Sequence, residues 1–169
     1  MKVCFVRHGE TDWNAEGRLQ GHTATSLNER GIRQSRECAK QLAGEEWDVI
    51  LSSPLQRARE SAYILSVNME VPRFAAHLFT ELDYGYWNGK ERQTLITSHS
   101  FKKWYQAEMN KLEKQVKKEL KALYQTYKDD AVIVVTHGLV IQQIEKLLER
   151  KSLTDDEIIS NGSFIYIYV

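Results

Sequence analysis

Four short segments of the sequence carry side chains able to do chemistry on an anion. Arg7-His8-Gly9-Glu10-Thr11 follows an apolar run near the start of the chain, Ser52-Ser53-Pro54-Leu55-Gln56-Arg57-Ala58 follows a second run, and Thr136-His137-Gly138 follows a third. The remaining segment, Glu81-Leu82-Asp83-Tyr84-Gly85-Tyr86-Trp87-Asn88-Gly89, sets two carboxylates among apolar and aromatic neighbours. The guanidiniums of Arg7 and Arg57 offer donor forks that match a phosphate, and the imidazoles of His8 and His137 add a nucleophile and a further donor. A histidine attacks phosphorus only when neutral. Cations that hold a phosphate disfavour the imidazolium by like charge, so such a cluster would arm its own nucleophile. Gly9 and Gly138 are expected to let backbone pass close to a ligand beside an inward-pointing side chain. A proton for the leaving oxygen has two candidate sources, Glu81 and Asp83, because a carboxyl among apolar groups has a raised pKa and can serve first as acid and then as base. Singly, each residue also fits a bland role: a hydrogen-bonded framework histidine, a salt-bridged arginine, a surface turn with solvated acids. Their convergence is what carries the chemical reading.

The segments converge only if the elements before them end at one edge. Residues 3–6, 49–51, 131–135 and 164–169 are apolar on consecutive positions, as in strands covered on both faces of a parallel sheet. Between these runs, apolar residues recur three and four apart, the spacing of a helix face. One set is Ile32, Ser35, Ala39 and Leu42 with Asn28 as cap, and a second is Leu55, Ala58, Ala62 and Leu65. A third runs Tyr105, Met109, Leu112, Val116, Leu120, Leu123 and Tyr127, and the last is Ile141, Ile144 and Leu148. The alternation predicts an α/β fold, a three-layer α/β/α sandwich with a mostly parallel central sheet. Ligands of such sheets bind outside the carboxyl ends of the strands, where helix N-termini also point.

With 169 residues and no repeat, low-complexity tract or linker, residues 1–169 are expected to form a single domain. Residues 90–103 are the least patterned stretch, and 90–130 reads either as a loop with a packing helix or as a reduced lid over a pocket. Lys plus Arg and Asp plus Glu number 23 each, so no net field gathers nucleic acid or an anionic membrane surface. Cys4 and Cys38 are too few for a disulfide framework and lack C-x-x-C spacing, so both are expected as buried thiols in the cytoplasm. The opening apolar run stops at Arg7, short of a signal-peptide core or a membrane span. His22, His77 and His99 show no metal-binding spacing and read as surface residues, His22 being the one near Gln20-Gly21. Lys102, Lys103, Lys111, Lys114, Lys117, Lys118 and Lys121 read as the solvated face of the long helix. Asn161-Gly162-Ser163 matches a glycosylation acceptor by chance in a cytosolic chain. Trp87, Trp104 and Tyr105 read as core aromatics or as walls for an apolar alcohol.

In their order, Arg7-His8-Gly9-Glu10-Thr11 with Asn14 downstream, Gln20-Gly21, Ser52 through Ala58, Glu81 through Gly89, and Thr136-His137-Gly138 resemble the histidine phosphatase superfamily, its phosphoglycerate-mutase-like branch 1. The resemblance spans nearly the whole chain. It implies a phosphatase that hydrolyses a phosphomonoester through a covalent phosphohistidine at His8, with no metal or cofactor. By the same resemblance Arg7, Arg57 and His137 clamp the phosphoryl group, Glu81 rather than Asp83 donates the proton, and Asn14, Gln20 and Gly21 contact phosphate or substrate. Gly138 joins the phosphate-binding set, Tyr84 is a further candidate, and Arg92 is one for a second anionic group on the substrate. A small phosphorylated metabolite is the expected substrate, with a protein as the alternative.

The sequence also departs from the family pattern. Ala24 and Ser26 stand where many members have Asp and Pro, and Asn88 stands where a second Glu is common. The Gly-Glu-Ser segment before the third strand is missing, and the insertion between Gly89 and Ala131 is short. That region shapes substrate choice, so the substrate does not carry over. A phosphoglycerate-type mutase, a protein-phosphohistidine phosphatase and a non-catalytic relative that binds phosphorylated ligands remain alternatives, although the short cover favours hydrolysis.

Overall fold

The strands are β1 (Lys2–Arg7), β2 (Val49–Ser52), β3 (Arg73–Ala75), β4 (Ala131–Thr136) and β5 (Phe164–Tyr168), in a computed structural model that describes residues 1–148 and 158–168. They form one sheet in the order β3-β2-β4-β1-β5, all parallel except β5, which runs antiparallel to β1. The helices are α1 (Asp12–Ala15), α2 (Glu29–Leu42), α3 (Gln56–Met69), α4 (Arg92–Leu95), α5 (His99–Tyr127) and α6 (Gly138–Leu147), with a 3-10 turn at Gly85–Trp87. Because successive side chains of a strand point to opposite faces, each central strand feeds two cores. Val3, Phe5, Val132 and Val134 pack with Leu112, Val116 and Leu123 of α5 and Ile141 and Ile144 of α6. Cys4, Val6, Ile133 and Val135 pack with Cys38 and Leu42 of α2 and Ala58, Ala62 and Leu65 of α3. This is the three-layer α/β/α sandwich that the alternating pattern predicts. Full burial of one such aliphatic side chain is worth about 1.5–3 kcal/mol, so the double coverage of β1 and β4 makes them the rigid base of the site.

Asn28 caps α2 as expected, its side chain accepting from the Gly31 N–H at 2.8 Å. The start of α2 presses on the loop after β1: a Cβ on Gly9 would lie 2.3 Å from the Gly31 carbonyl oxygen, and one on Gly31 would lie 2.1 Å from that of Glu10. Gly9 therefore serves backbone packing against α2, which corrects its expected role beside a ligand. The unpatterned stretch is helical, since α4 begins at Arg92 and Ser98 caps α5 by accepting from the Phe101 N–H. It lacks an apolar stripe because most of its residues are exposed. Strand β3 is absent from the sequence reading for the same reason: it is an edge strand with every residue exposed, held by its register against Ile50, Leu51 and Ser52. Leu148 lies just past α6, and Val169 lies outside the described residues. Cys4 and Cys38 are both free and buried. Among the described residues no helix is long and apolar enough to cross a membrane.

Candidate active site

The ends of β1, β2 and β4 lie side by side, with Arg7 paired to Thr136 and Ser52 to Val135. The loops beyond them enclose a cavity of about 200 Å³ whose wall includes Arg7, His8, Asn14, Gln20, Gly21, Arg57, Glu81, Tyr84, Arg92 and Gly138. Of the site residues expected from the sequence, His137 alone is not in this wall. It caps α6 directly behind His8, fully buried, with the two imidazole centroids 5.1 Å apart.

The hydrogen bonds of His8 set its tautomer. Nδ1 lies 2.7 Å from the Gly9 carbonyl oxygen, which can only accept, so Nδ1 carries the proton and Nε2 keeps the lone pair. Nε2 accepts from Arg57 Nε at 3.2 Å. Burial, then the charges of Arg57 and Arg7, hold the His8 pKa well below its ordinary 6.5. The result is a neutral imidazole on the cavity wall.

Arg57 is 1% exposed and has no carboxylate partner in direct contact among the described residues. Its donors go instead to Gly21 O at 2.8 Å, Thr23 O at 3.3 Å and Thr25 Oγ1 at 3.4 Å, so the loop after α1 is folded around it. Gln20 secures that loop, its Oε1 accepting from Thr11 Oγ1 at 2.8 Å and Thr25 Oγ1 at 2.6 Å. Gly21 has φ +51° and its Cβ would lie 2.2 Å from Asn88 Oδ1, so backbone freedom and space both require glycine here. Burial pushes the Arg57 pKa down to about 10, which leaves it charged at neutrality.

Arg7 donates from Nη1 to the Ile159 carbonyl, while its buried Nε has no partner among the described residues. A Cβ at Gly138 would lie 2.3 Å from Ile158 Cγ2 and 3.3 Å from that Nε, so Gly138 makes room chiefly for Ile158 and also for the guanidinium. Asn14 Oδ1 accepts from Thr11 N–H and Asn161 Nδ2, which leaves its Nδ2 as a donor for the cavity. His137 Nε2 meets Ser53 Oγ at 2.8 Å, and its buried Nδ1 is without a partner among the described residues. A buried polar group left unpaired costs about 1–3 kcal/mol, so these atoms favour a polyvalent oxyanion in the cavity. His137 is held neutral, its pKa well below 6.5 through burial and then Arg57.

Glu81 and Asp83 differ sharply in surroundings. Glu81 lines the cavity, its Oε1 accepts from Leu82 N–H at 2.9 Å, and the backbone N–H of Leu139 is near enough to oppose the rise in its pKa slightly. Burial raises its pKa, partly offset by the Leu82 N–H and by Arg57 and Arg7. Asp83 turns away to Asn88 Nδ2 at 2.9 Å and Gly85 N–H at 3.2 Å, bonds that lower its pKa, Asn88 foremost. Among the described residues no group of three or more His, Cys, Asp or Glu is gathered that could hold a metal ion.

Residues 3–166 match the histidine phosphatase superfamily (branch 1). The chain belongs to that family. It is 34% identical over 143 residues to uncharacterized phosphatase PhoE of Bacillus subtilis, which covers 84% of this chain and 74% of that one. It is 31% identical over 150 residues to phosphoserine phosphatase 1 of Hydrogenobacter thermophilus, covering 81% and 71%. Its fold matches that of Entamoeba histolytica phosphoserine phosphatase in complex with 3-phosphoglyceric acid with a TM-score of 0.84 at 28% identity, over 98% of this chain and 89% of the other. The chain is a phosphoric monoester hydrolase.

This histidine phosphatase also uses residues that the sequence reading passed over. Asn161 Nδ2 donates to the His8 carbonyl at 3.0 Å, and Gly162 N–H donates to Arg7 O at 3.0 Å, so the tripeptide read as a chance acceptor holds the backbone of Arg7 and His8. His22 is exposed, yet its Nε2 lies 2.8 Å from the Glu81 carbonyl. Glu119, 7% exposed, accepts from Phe79 N–H at 2.7 Å, while Thr136 Oγ1 donates to Phe79 O at 2.6 Å. These two bonds pin the chain two residues before Glu81. A sign of this was present, since Glu119 sits three residues after Val116 and four before Leu123, on the apolar stripe of α5.

Proposed function

We propose that this enzyme hydrolyses small phosphomonoesters through a phosphohistidine at His8 and without a metal ion, residues 1–169 acting as one domain. The observation that carries this reading is the neutral His8, its Nδ1–H held by Gly9 and its Nε2 at the cavity beside Arg57. The phosphoryl oxygens take over the donors of Arg57, Arg7 Nε and Asn14 Nδ2. With Ser53 donating to Nε2 of His137, Nδ1–H of His137 supplies one more. Nε2 of His8 attacks phosphorus in line, the P–O ester bond breaks, and protonated Glu81 gives its proton to the leaving alcohol. Glu81, now a carboxylate, takes a proton from water, whose oxygen attacks phosphorus. The N–P bond breaks, releasing inorganic phosphate and restoring both residues. Fixed cations and oriented donors meet the charge of the transferring group, so positioning and electrostatics supply the catalysis that Mg²⁺ gives elsewhere.

A small carboxylate-bearing metabolite fits best as substrate, given kinship to phosphoserine phosphatases and structural likeness to one solved with 3-phosphoglyceric acid and with phosphoserine. The buried free thiols suit a reducing compartment, and the cytoplasm is the proposed location. Rapid quench with labelled substrate tests the mechanism: an acid-labile phosphoenzyme should appear in wild type and be absent in His8→Ala. Turnover that survives His8→Ala, or that stops with chelator and returns with divalent ions, would refute it. Isomerisation of phosphoglycerates outpacing phosphate release in the presence of a bisphosphate primer would replace hydrolysis with a mutase.

A further inference from the structure

A second chamber of about 260 Å³ adjoins the catalytic cavity beneath the start of α5. Leu19, Tyr84, Arg92 and Leu139 line both spaces, so the two share a wall. The rest of the chamber is mainly apolar. Phe101 and Tyr105 stack there with centroids 5.7 Å apart and planes 23° from parallel, presenting flat aromatic surface.

In-line transfer places the leaving oxygen opposite the attacking nitrogen, so it emerges away from His8 Nε2 and toward the acid. Glu81 and Leu139 both line the catalytic cavity, and Leu139 is part of the wall shared with the second chamber. Whatever the leaving oxygen carries therefore extends past Leu139 into the second chamber. Two exposed cations stand at its rim. Arg92 and Lys102 line the chamber, and neither forms an ion pair among the described residues. Arg7 and Arg57 already face the two charges of a phosphoryl group, so the additional cations call for a second anion on the same substrate.

Resting on the phosphatase reading, we propose that this chamber is the leaving-group subsite and selects phosphomonoesters of apolar, ring-sized alcohols that end in a carboxylate, with Arg92 and Lys102 taking the carboxylate. An alcohol of this class fills the aromatic chamber and brings its own counter-charge. A short polar alcohol leaves the chamber empty.

Phosphate release is compared for 4-carboxybenzyl phosphate, benzyl phosphate, glycerol 3-phosphate and O-phosphoserine, all alkyl esters, so that leaving-group reactivity varies little. Wild type is expected to turn over benzyl phosphate with a kcat/KM at least tenfold above glycerol 3-phosphate, and the carboxylated ester better still. In an Arg92→Gln, Lys102→Gln double variant the ratio of kcat/KM for 4-carboxybenzyl over benzyl phosphate is expected to fall at least tenfold, chiefly through KM. Ile96→Asp, at a chamber position that is 48% exposed and so tolerant of charge, should lower both benzyl esters relative to glycerol 3-phosphate. An unchanged ratio in the double variant overturns the carboxylate assignment. Turnover of O-phosphoserine and glycerol 3-phosphate with benzyl esters tenfold slower overturns the subsite and leaves the reaction standing. No phosphate from any of the four esters removes the phosphatase reading and the subsite with it.

Discussion

Replacing Glu119 by Ala removes the acceptor for the Phe79 N–H, a bond of 2.7 Å made inside the core between α5 and the loop that carries Glu81. An unsatisfied buried N–H costs about 1–3 kcal/mol, and the loss of a burial-strained carboxylate returns part of that, so a net loss of about 2 kcal/mol is expected. For a chain of this length that is roughly 4–8 °C in Tm. Glu119→Gln keeps an acceptor in place and should stay within about 1 kcal/mol of wild type. The sign of its pH dependence is set by burial, which raises the Glu119 pKa. The contribution of Glu119 is fully present below the ordinary carboxyl value of 4.5 and is lost as pH rises through the raised one, so Glu119→Gln should gain on wild type as pH increases. The kinetic consequence separates a positioning role from a purely structural one. General acid catalysis contributes about 10²–10⁴-fold, and a loosened loop forfeits part of that only where the leaving oxygen needs a proton. Glu119→Ala should therefore lose about tenfold in kcat on benzyl phosphate and about twofold or less on 4-nitrophenyl phosphate, whose phenolate leaves unprotonated. Thermal denaturation and steady-state phosphate release on the folded variant read both effects. An unchanged Tm, or equal losses on the two esters, would refute the reasoning.

The proposed mechanism requires neutral His8 and protonated Glu81, and the structure lowers the pKa of the first below 6.5 and raises that of the second above 4.5, so kcat/KM should peak on the acid side of neutrality. An alkaline optimum in the pH–rate profile would contradict this. His8 and His137 both have depressed pKa values, so below pH 6.5 the unfolded state binds protons that the folded state does not. Stability should fall with pH there by up to about 1.4 kcal/mol per unit for each imidazole, measured by denaturant midpoints across the acid range. Asn161→Ala should cost about 1 kcal/mol and three- to tenfold in kcat/KM, because the His8 carbonyl and Asn14 Oδ1 lose their shared donor. Asn161→Asp places negative charge near the imidazole, so its pH–rate profile should shift the acid limb upward; an unmoved limb would remove Asn161 from the nucleophile's support. Gly31→Ala forces a Cβ to within 2.1 Å of backbone that cannot yield, and a loss of about 3 kcal/mol or more in denaturant unfolding is expected.

The residues at the strand ends are legible in the sequence because each follows directly on an apolar run. Arg7 ends β1 and His8 follows it, Ser53 and Arg57 follow β2, and His137 follows β4, so a parallel sheet covered on both faces brings them together whatever the surface loops do. Local spacing could not show which of Glu81 and Asp83 enters the cavity, since the two lie in a loop without a repeat. That choice is made by Asn88 bonding Asp83 and by the packing that sets Glu81 in the cavity wall with Leu139. Edge strand β3 and the exposed start of α5 left no periodic trace, because burial writes the pattern and they are little buried. Asn161 reaches His8 across 153 residues and Glu119 reaches Phe79 across 40, separations at which one-dimensional pattern carries no signal. The sequence by itself determined the layered fold and which polar side chains meet at the strand ends, through hydrophobic order along the chain. The tertiary structure alone decided the proton on His8, the carboxylate that faces the cavity and the shape of the chamber beside it, because each depends on a hydrogen bond or a wall supplied from elsewhere in the chain.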